Sequence, residues 1–407
     1  MTDKILNDIR VLDLSTFVTG GFATLMLANQ GAEVVKVERP DAGDDNRRAG
    51  PPFIDGESPY FWTVNYGKRS VELELKSEAG KQALYDLAEE ADVFVQNYRP
   101  GTAERLDVDY DAIRERNPGI VYCAISAFGQ TGPWSERRGY DLLVQGMSGI
   151  MSVTGEADRP PVKVGLPQTD LITGMWAGFG IVNALYDRER TPADEWDGEY
   201  IDLGMLDATL PWLTKHAGRV FAGEDPTRMG TQDPVLAPYQ TYETEDGHIN
   251  IACLNQKLWR EFCEALDRPD LFADTDFETN ADRVANMDAL EAEIEAELRE
   301  RTTDEWMEML VEEAGVPAGP IQSVEDALYN DQTEARGVVT EVERECADGE
   351  TRTVPVIEHP LNYANADSGF ESAPPELGED NRELFREIGY AEAEIEELAE
   401  KGVFGAE

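Results

Sequence analysis

Basic side chains recur beside the short apolar runs of the first 140 residues. They are Arg39, Lys68, Arg69, Lys76, Arg99, Arg105, Arg137 and Arg138. Cations that converge on one edge of a protein can neutralise a phosphorylated ligand, and arginine gives bidentate contacts to phosphate. For any one of these residues, an ordinary surface salt bridge is the simpler interpretation. Their concentration in one part of the chain favours an anion-binding site.

Asp170 is the candidate for carboxylate chemistry. It follows the turn Pro-Gln-Thr and directly precedes the glycine-containing apolar run LITGMWAGFG, which has helical spacing. An aspartate at the start of a helix is commonly an N-cap. The same position keeps a carboxylate ionised and directed outward, as a carboxylate nucleophile requires. The residues alone leave both interpretations open.

Other catalytic and metal-binding arrangements are not indicated by the sequence. The turn STFVTGG at residues 15–21 suits backbone contact with a ligand, but it lacks the GxGxxG pattern of dinucleotide sites. His216, His248 and His359 are isolated in the sequence, and no CxxC pair is present. We therefore expect no metal site. Free buried thiols in a reducing compartment are expected at the cysteines, which are Cys123, Cys253, Cys263 and Cys346.

The elements that would position these residues alternate between strand and helix. Buried strands are predicted at Arg10–Leu14, Glu33–Glu38, Asp92–Asn97 and Ile120–Ile125, and a further strand at Tyr200–Leu203. Helices are predicted at Gly21–Gln30, Ser77–Glu90, Tyr110–Arg116, Asp170–Arg188 and Asp207–Phe221. This alternation indicates an α/β fold with a parallel sheet covered on both faces and ligands at the carboxyl ends of its strands.

The composition changes after about residue 225. Residues 235–252 are predicted to form a hairpin that turns at Asp246-Gly247, and 255–315 are helical and very acidic. We therefore predict a large domain over 1–224 and a smaller α+β domain over 225–325. Further on, two strands are expected within Gly337–Pro355, around a turn at Asp348-Gly349, and a single helix at Asn381–Glu400.

The chain is strongly acidic, with 83 Asp plus Glu against 35 Lys plus Arg and a net charge of −48. Such a charge excludes nucleic acid as the main partner. It is typical of cytosolic proteins in cells that hold molar salt, and neither a secretory signal nor a membrane span is predicted, so a cytoplasmic location is expected. Residues 1–140 carry 16 basic and 23 acidic side chains, whereas 141–407 carry 19 and 60. An anionic ligand is therefore expected in the first third.

Several motifs, in order along nearly the whole chain, resemble the family III CoA-transferases. They are VLDLSTFVTGGFATLMLANQGAEVVKVERP, NYGKRSVELELKSEAGK, VFVQNYRPGTAERL, ISAFGQTGPW, GVPAGPI and LGEDNRELFREIGY. The resemblance implies a Rossmann-like large domain to which 326–407 return, and a homodimer whose subunits interlock like rings. It also implies CoA as a bound substrate, with no prosthetic group.

The resemblance carries roles to individual residues. Asp170 matches the family's nucleophile, which forms an aspartyl anhydride and then an enzyme-CoA thioester. Matches to CoA contacts are Phe17, Val18, Thr19, Arg39, Leu73, Lys76, Asn97, Tyr98, Arg99, Arg105, Arg138 and Tyr140. Asp141 and Arg47 match residues near the active site. Formyl-CoA transferases of the family carry glutamine at Val18 and glycines where residues 229–234 stand, so oxalate is not the expected acceptor.

The expected reaction moves CoA from an acyl-CoA, such as succinyl-CoA, to a free dicarboxylate, such as mesaconate. From charge alone, Arg47 or Arg228 could bind the distal carboxylate. An acyl-CoA racemase of the same superfamily is an alternative, although Tyr140 stands where those enzymes have histidine and a phenol is a poor base at neutral pH. A non-catalytic CoA-binding protein, with Asp170 as a helix cap, is the other alternative.

Overall fold

The computed structural model describes residues 4–54, 56–345, 350–370 and 372–405. Its chain divides into two compact units. The first contains Met1–Ser148, Val164–Ala217 and Asp331–Glu407, and the second contains Gly149–Lys163 and Gly218–Asn330. The domain assignment made from the sequence stays a prediction.

The first unit is built on a parallel six-stranded sheet. Its strands are β1 (Arg10–Asp13), β2 (Glu33–Glu38), β3 (Arg69–Glu72), β4 (Val93–Gln96), β5 (Val121–Ser126) and β6 (Glu199–Gly204). Their spatial order is β3-β2-β1-β4-β5-β6, which is that of the doubly wound Rossmann fold. The predicted α/β class and parallel sheet are confirmed, although β3 was not among the predicted strands.

The helices up to residue 221 belong to the first unit, except for the 3-10 helix at Ile150–Ser152 and the end of the last α-helix, from Gly218 on, which belong to the second. They are α1 (Thr19–Ala28), α2 (Pro59–Trp62), α3 (Glu78–Glu89), α4 (Thr102–Arg105), α5 (Tyr110–Arg114), α6 (Asp141–Met147), α7 (Gln168–Arg190), α8 (Met205–Thr209) and α9 (Thr214–Phe221), with short 3-10 helices at Asp45–Arg48, Ile150–Ser152 and Leu210–Leu213. The single predicted helix over 207–221 is wrong. A 3-10 helix at Leu210–Leu213, with Pro211 in its first turn, follows α8, and the chain then turns at Thr214, whose φ of 33° is not helical.

The second unit has a three-stranded antiparallel sheet beside a group of helices. Its strands are β7 (Tyr239–Glu243), β8 (His248–Ala252) and β9 (Ala318–Pro320). Its helices are α10 (Gln256–Ala265), α11 (Pro269–Ala273), α12 (Asn280–Ala285), α13 (Met287–Leu298), α14 (Thr303–Met307) and α15 (Val324–Leu328), with a π-helix at Glu308–Glu313. The predicted hairpin is confirmed. The three-residue β9 is too short to show a pattern.

The carboxyl-terminal segment contributes to the first unit. It contains α16 (Asp331–Ala335), the antiparallel pair β10 (Val339–Glu345) and β11 (Thr351–Ile357), α17 (Asn381–Glu387) and α18 (Glu392–Glu400). The two predicted strands are confirmed, while the predicted turn at Asp348-Gly349 lies outside the described residues. The prediction of a single helix over Asn381–Glu400 is wrong, because the helix ends before Gly389, whose φ is 98°. No helix within the described ranges is long and apolar enough to cross a membrane.

Apolar side chains bury both faces of the six-stranded sheet. On one face, helices α3, α17 and α18 contribute Leu84, Leu384 and Ile395 to the core. On the other, α1 and α7 contribute Leu27 and Ile181. Each of these side chains is almost fully buried, which stabilises the fold by about 2 kcal/mol per large aliphatic residue.

Three of the cysteines are unpaired and buried, as predicted. They are Cys123, Cys253 and Cys263, whereas Cys346 lies outside the described residues. Burial raises the pKa of each of these three thiols to about 12. Because the thiolate is the reactive form, these cysteines are chemically inert.

Helices α1 and α7 pack closely through glycine. A Cβ atom added at Gly174 would stand 2.8 Å from the carbonyl oxygen of Thr19 and 3.0 Å from the Phe22 ring. At Gly178, one turn further along α7, the nearest atom is the flexible Met26 Cε at 3.4 Å. Only Gly174 is therefore required for the closest approach, which lies at the amino-terminal ends of both helices.

We expect Gly174→Ala to lower the thermal midpoint by about 2–5 °C, because the added methyl group forces the two helices apart. Gly178→Ala is the matched control. It should leave the midpoint unchanged or raise it, since alanine is the better helix former by about 1 kcal/mol. Thermal unfolding followed by circular dichroism would measure both, and equal midpoints for the two variants would contradict the packing argument.

Candidate active site

A cavity of about 310 Å³ opens at the carboxyl ends of β1 to β4. Its walls are formed by the ends of these strands and the loops that follow them. Four of the residues predicted to contact CoA line it, namely Arg39, Leu73, Lys76 and Tyr98. Burial raises the pKa of the Tyr98 hydroxyl to about 12, so this side chain is neutral. The cavity combines apolar walls with basic side chains at its edge.

Of the predicted cations, Arg39 and Lys76 line this cavity and are exposed. Arg39 is exposed and pairs with Asp45 at 2.7 Å, while Arg99, Arg105 and Arg138 are also exposed. Lys68 is buried, and Arg69 begins β3, so it stands at the opposite edge of the sheet, where it pairs with Glu33, Asp380 and Glu387. Including Lys68 and Arg69 among the ligand-facing cations was therefore wrong.

Asp170 lies in the first turn of α7 and is half-buried. Its Oδ1 accepts a hydrogen bond of 2.5 Å from the Thr19 hydroxyl, which belongs to the first residue of α1. Among the described residues, no donor reaches the second carboxylate oxygen of Asp170. That oxygen is available to react with a ligand.

Burial raises the pKa of Asp170 to about 6. The hydrogen bond from Thr19 lowers the pKa, and the negative charge of Asp141 raises it further. The carboxyl group is thus ionised above about pH 6, but it is poorly solvated. A desolvated carboxylate is a better nucleophile than one in water.

Asp141 fixes the segment before Asp170. Its Oδ1 accepts hydrogen bonds of 2.9 Å from both the backbone N–H and the hydroxyl of Thr169, the residue before Asp170. Its Oδ2 accepts from Gln145 at 2.7 Å. Gln145 is fully buried, and it also accepts from the Val164 N–H at 2.8 Å. Asp141 and Gln145 together hold the residues just before and at the start of α7, and Gln145 was not among the residues predicted from the sequence.

Aromatic side chains lie near the start of α1 and α6. The rings of Phe17 and Tyr140 pack edge to face with centroids 6.2 Å apart, and both side chains are exposed. Val18, between Phe17 and Thr19, is buried, so any ligand contact there would come from its backbone. Tyr60 was not predicted. Burial, and then the charges of Asp170 and Asp141, raise the pKa of its hydroxyl.

Arg47 and Arg228 are already engaged with other parts of the protein. The Arg47 guanidinium makes two hydrogen bonds of 2.6 and 2.7 Å to the Glu38 carboxylate and a third of 3.0 Å to the Pro375 carbonyl. It also lies 3.9 Å from the centre of the Phe61 ring. Arg228 donates to two main-chain carbonyl groups. This geometry gives no support to the expectation that either residue binds a distal carboxylate.

A group of buried charges lies beneath the turn at residues 15–17. It consists of Asp13, Lys36, Asp44 and Lys68, whose side chains have no exposed surface, and we call it the buried charge cluster. Burial opposes the charge of Lys36, but Asp44 and Asp13 hold its pKa above the usual range, so it stays charged. The sequence signal for it was a lysine in the middle of EVVKVE, a strand predicted to be buried.

Asn97 also contacts this turn. Its side-chain oxygen accepts from the Thr16 N–H at 2.9 Å, and its NH₂ donates to the Thr16 carbonyl at 2.7 Å. Both ends of the amide are thus used on one residue of the turn, and the predicted direct contact of Asn97 with CoA would have to share these groups.

Comparison with known proteins identifies the family. Residues 6–381 match the family model for CoA-transferase family III. The chain belongs to this family. It is a CoA-transferase, and several characterised relatives carry that name.

Two relatives and one solved structure illustrate the similarity. Succinyl-CoA:glutarate CoA-transferase of Mus musculus is 38% identical over 405 residues, covering 98% of this chain and 90% of the relative. Succinyl-CoA:mesaconate CoA-transferase of Haloarcula hispanica is 37% identical over 395 residues, covering 94% and 96%. The crystal structure of a CAIB/BAIF family protein from Brucella suis superimposes with a TM-score of 0.83 at 36% identity, covering 95% of this chain and 100% of that one.

We expect Asp170→Asn to stabilise this CoA-transferase above about pH 6 and to leave its stability unchanged below about pH 4. The folded-state pKa is raised, to about 6, above the ordinary value of 3.8, so ionisation of Asp170 destabilises the fold as the pH rises through this interval. Since the group is half-buried, we expect a gain of about 1–2 kcal/mol.

Thermal midpoints of both proteins between about pH 4 and pH 8 would measure this effect. The control is Asp194→Asn, because Asp194 is exposed. A constant difference between Asp170→Asn and the wild type across this range would show that Asp170 is not perturbed.

Proposed function

We propose that this enzyme transfers CoA from succinyl-CoA to a C5 dicarboxylate, with mesaconate as the expected acceptor and glutarate as the second candidate. The observation that carries the proposal is the half-buried Asp170 carboxylate, bonded to Thr19 through one oxygen. The relatives described above support the choice of substrates, because their names pair succinyl-CoA with glutarate or mesaconate, and both are C5 dicarboxylates.

The cavity at the strand ends would hold CoA. Tyr98 offers aromatic surface for the adenine ring, whereas Leu73 lines the cavity but is almost fully buried. The exposed Arg39 and Lys76 at the same cavity offer charge for phosphates. Arg99, Arg105 and Arg138 add exposed positive charge on the following loops. Ser15 and Thr16 also line this cavity, and Thr19 lies three residues further on, so the turn leads from the cavity toward Asp170. The pantetheine arm would follow this path.

The first half of the reaction loads CoA onto the enzyme. The Asp170 carboxylate attacks the thioester carbonyl of succinyl-CoA, the C–S bond breaks, and CoA leaves as a thiolate from a succinyl-aspartyl anhydride. The thiolate then attacks the aspartyl carbonyl of this anhydride. Free succinate leaves, and CoA is held as a thioester on Asp170.

The second half repeats these steps with the acceptor. A carboxylate of mesaconate attacks the Asp170 thioester and releases the CoA thiolate, which gives a mesaconyl-aspartyl anhydride. The thiolate attacks the mesaconyl carbonyl, and the Asp170 carboxylate is regenerated as mesaconyl-CoA forms. One thioester is exchanged for another, so the balance requires no ATP, metal or prosthetic group.

Two other functions make different demands on the same site. A racemase needs a base for the proton α to the thioester, and Tyr140 is a weak base. A CoA-binding protein without catalysis needs no reactive carboxylate, so a raised pKa and an available oxygen at Asp170 would have no purpose. Both functions are separable from CoA transfer in a single assay.

We expect the purified protein to form mesaconyl-CoA from succinyl-CoA and mesaconate in about 3 M KCl, conditions chosen for its acidic surface. Asp170→Ala should reduce the rate by at least about a thousandfold, since a covalent nucleophile is lost. Chromatography of the CoA esters would measure the transfer, and hydroxylamine would trap the aspartyl thioester as a hydroxamate at Asp170.

The same assay includes its controls. Thr19→Ser keeps the hydroxyl group that binds Asp170 and should retain most of the activity. Transfer that survives in Asp170→Ala would disprove the nucleophile assignment. Exchange of the α-proton in deuterated water without transfer would indicate a racemase, and CoA binding without either reaction would indicate a binding protein.

We also propose that two copies of the chain form a homodimer through α7. Along one side of this helix, Met175, Phe179, Val182 and Tyr186 are exposed by 45%, 59%, 41% and 62%. Residues spaced by three and four positions form one stripe on a helix, and a stripe of large apolar side chains is unfavourable in water. The ring-like interlocking implied by the family resemblance requires an extensive subunit interface, which this stripe would join.

One chain has a mass of 45.2 kDa. We expect light scattering after size exclusion to give twice this mass for the native protein. The double variant Phe179→Asp with Tyr186→Asp should be monomeric or unfolded, because charges would be buried at the interface. Ile5→Ser removes an exposed apolar side chain outside α7 and should remain dimeric. A monomeric wild type at every concentration tested would contradict the proposal.

A further inference from the structure

The turn that precedes α1 is held by side chains. Five successive polar groups of its backbone, from the Ser15 N–H to the Phe17 N–H, bond to side chains from other parts of the first unit. Asp13 accepts from the Ser15 N–H and Lys36 donates to the Ser15 carbonyl, both at 2.9 Å. Asn97 binds the N–H and the carbonyl of Thr16. Asp44 accepts from the Phe17 N–H at 3.1 Å.

Phe17 adopts a backbone conformation that is unfavourable for a residue with a side chain. Its φ is 61°, in the left-handed region that usually requires glycine. This conformation turns the chain into α1, so that Thr19 is the first residue of the helix. The bond from Asp44 to the Phe17 N–H fixes the peptide group at the strained residue.

The buried charge cluster connects this turn to the helix that follows it. Asp44 lies 2.9 Å from the Lys36 ammonium group, which binds the turn at Ser15. Asp13 accepts from the Thr24 hydroxyl in α1 at 2.7 Å, and Lys68 donates to the Gly21 carbonyl in α1 at 2.9 Å. The position of the Thr19 end of α1 is thus set by charged side chains.

Buried charges of this kind are a weak source of stability. Removing two ions from water costs several kcal/mol each, and well-packed apolar side chains of similar volume are often as stable or more so. Buried networks that are fully satisfied do, however, hold their partners in one geometry. The cluster is therefore better explained by the geometry that it imposes on the turn.

We propose that Asp44, Lys36 and Asn97 are positioning residues for catalysis, which hold the turn at residues 15–17 so that the Thr19 hydroxyl stays on the Asp170 carboxylate. This inference rests on the proposed role of Asp170 as nucleophile. None of the three residues needs to touch the reacting atoms. They act through Thr19, whose hydrogen bond favours the ionised form of Asp170 and fixes which oxygen faces the thioester.

The inference predicts a pH effect that a purely structural role would not produce. The charged and titratable groups that face Asp170 are Asp141 at the start of α6 and Tyr60 in α2, with Thr19 as the polar partner on α1. Asp141 and Tyr60 are unchanged by a variant in the turn. Loss of the Thr19 hydrogen bond alone would raise the pKa of Asp170. The acid limb of the pH–rate profile, where activity falls as Asp170 is protonated, would then move to higher pH.

Asp44→Asn and Asn97→Asp are the test variants, because each keeps the shape of the side chain but can no longer make one of its hydrogen bonds or ion pairs. An amide introduced at position 44 would have to turn its oxygen either to Phe17 or to Lys36, whereas the Asp44 carboxylate serves both. A carboxylate at position 97 would repel the Thr16 carbonyl. Each variant should lower kcat by about tenfold, with a smaller change in KM, and move the acid limb up by about one pH unit.

A double-variant cycle tests whether Asp44 acts through Thr19. Thr19→Val removes the hydroxyl and should give the full shift of the acid limb, whereas Thr19→Ser should give none. Thr19→Val combined with Asp44→Asn should shift the limb no further than Thr19→Val alone. Additive shifts would overturn the inference, as would an unshifted limb in both Asp44→Asn and Asn97→Asp.

The control for stability is Arg69→Gln at the opposite edge of the sheet, where Arg69 pairs with Glu33 and Asp380. It should lower the thermal midpoint without moving the limb. Titration of ¹³C-labelled aspartate carboxyl groups, with Asp170→Asn as the reference, follows Asp170 without any need for activity. If the Asp170 titration shifts in the variants but the protein transfers no CoA, the proposed function alone is refuted. If the variants are active and their Asp170 titration does not shift, the inference alone is refuted.

Discussion

At Gly174, α1 and α7 approach so closely that one methyl group would stand 2.8 Å from the Thr19 carbonyl oxygen. This contact brings together the amino-terminal ends of two helices that lie far apart in the chain. Thr19 then bonds to Asp170, although 151 residues separate them. The sheet, the turn before α1 and the loop before α7 serve to bring these two helix ends to the same place.

Asp170 must satisfy two opposing requirements. It has to lose water in order to react, and burial accordingly raises its pKa to about 6. It also has to remain ionised, and the hydrogen bond from Thr19 opposes the effect of burial. Asp141 adds negative charge nearby, but its carboxylate is held by Thr169 and Gln145 and fixes the backbone before Asp170. The site therefore balances desolvation against a single well-placed donor.

The sequence predicted the parts of the fold whose signals are local. Runs such as EVVKVE and IVYCAI predicted buried strands, whereas β3 ends within SVELELK, whose alternating charges resemble an exposed segment. Thr214 and Gly389, which both have a positive φ, interrupt two helices that apolar spacing had predicted to be continuous. Asp170 stood out through its position before a helix, but only the family resemblance distinguished a nucleophile from a cap.

Contacts between distant residues could not be predicted from the sequence. The pairing of Thr19 with Asp170 and the Gln145 network depend on where the helices lie. The double use of Asn97 on Thr16 depends on β1 and β4 being neighbours in the sheet. Lys68 and Arg69 are adjacent in sequence, yet one is buried beneath the turn and the other pairs with carboxylates at the far edge of the sheet. A count of cations along the chain cannot separate these positions.

The buried charge cluster is itself shielded from dissolved salt. In molar salt the screening length falls to about 3 Å, so attractions and repulsions between the many exposed carboxylates are strongly reduced. Lys36, Asp44, Asp13 and Lys68 have no exposed side-chain surface, and mobile ions cannot enter between them. The surface of this protein can therefore respond to ionic strength while the geometry around its reactive carboxylate stays constant.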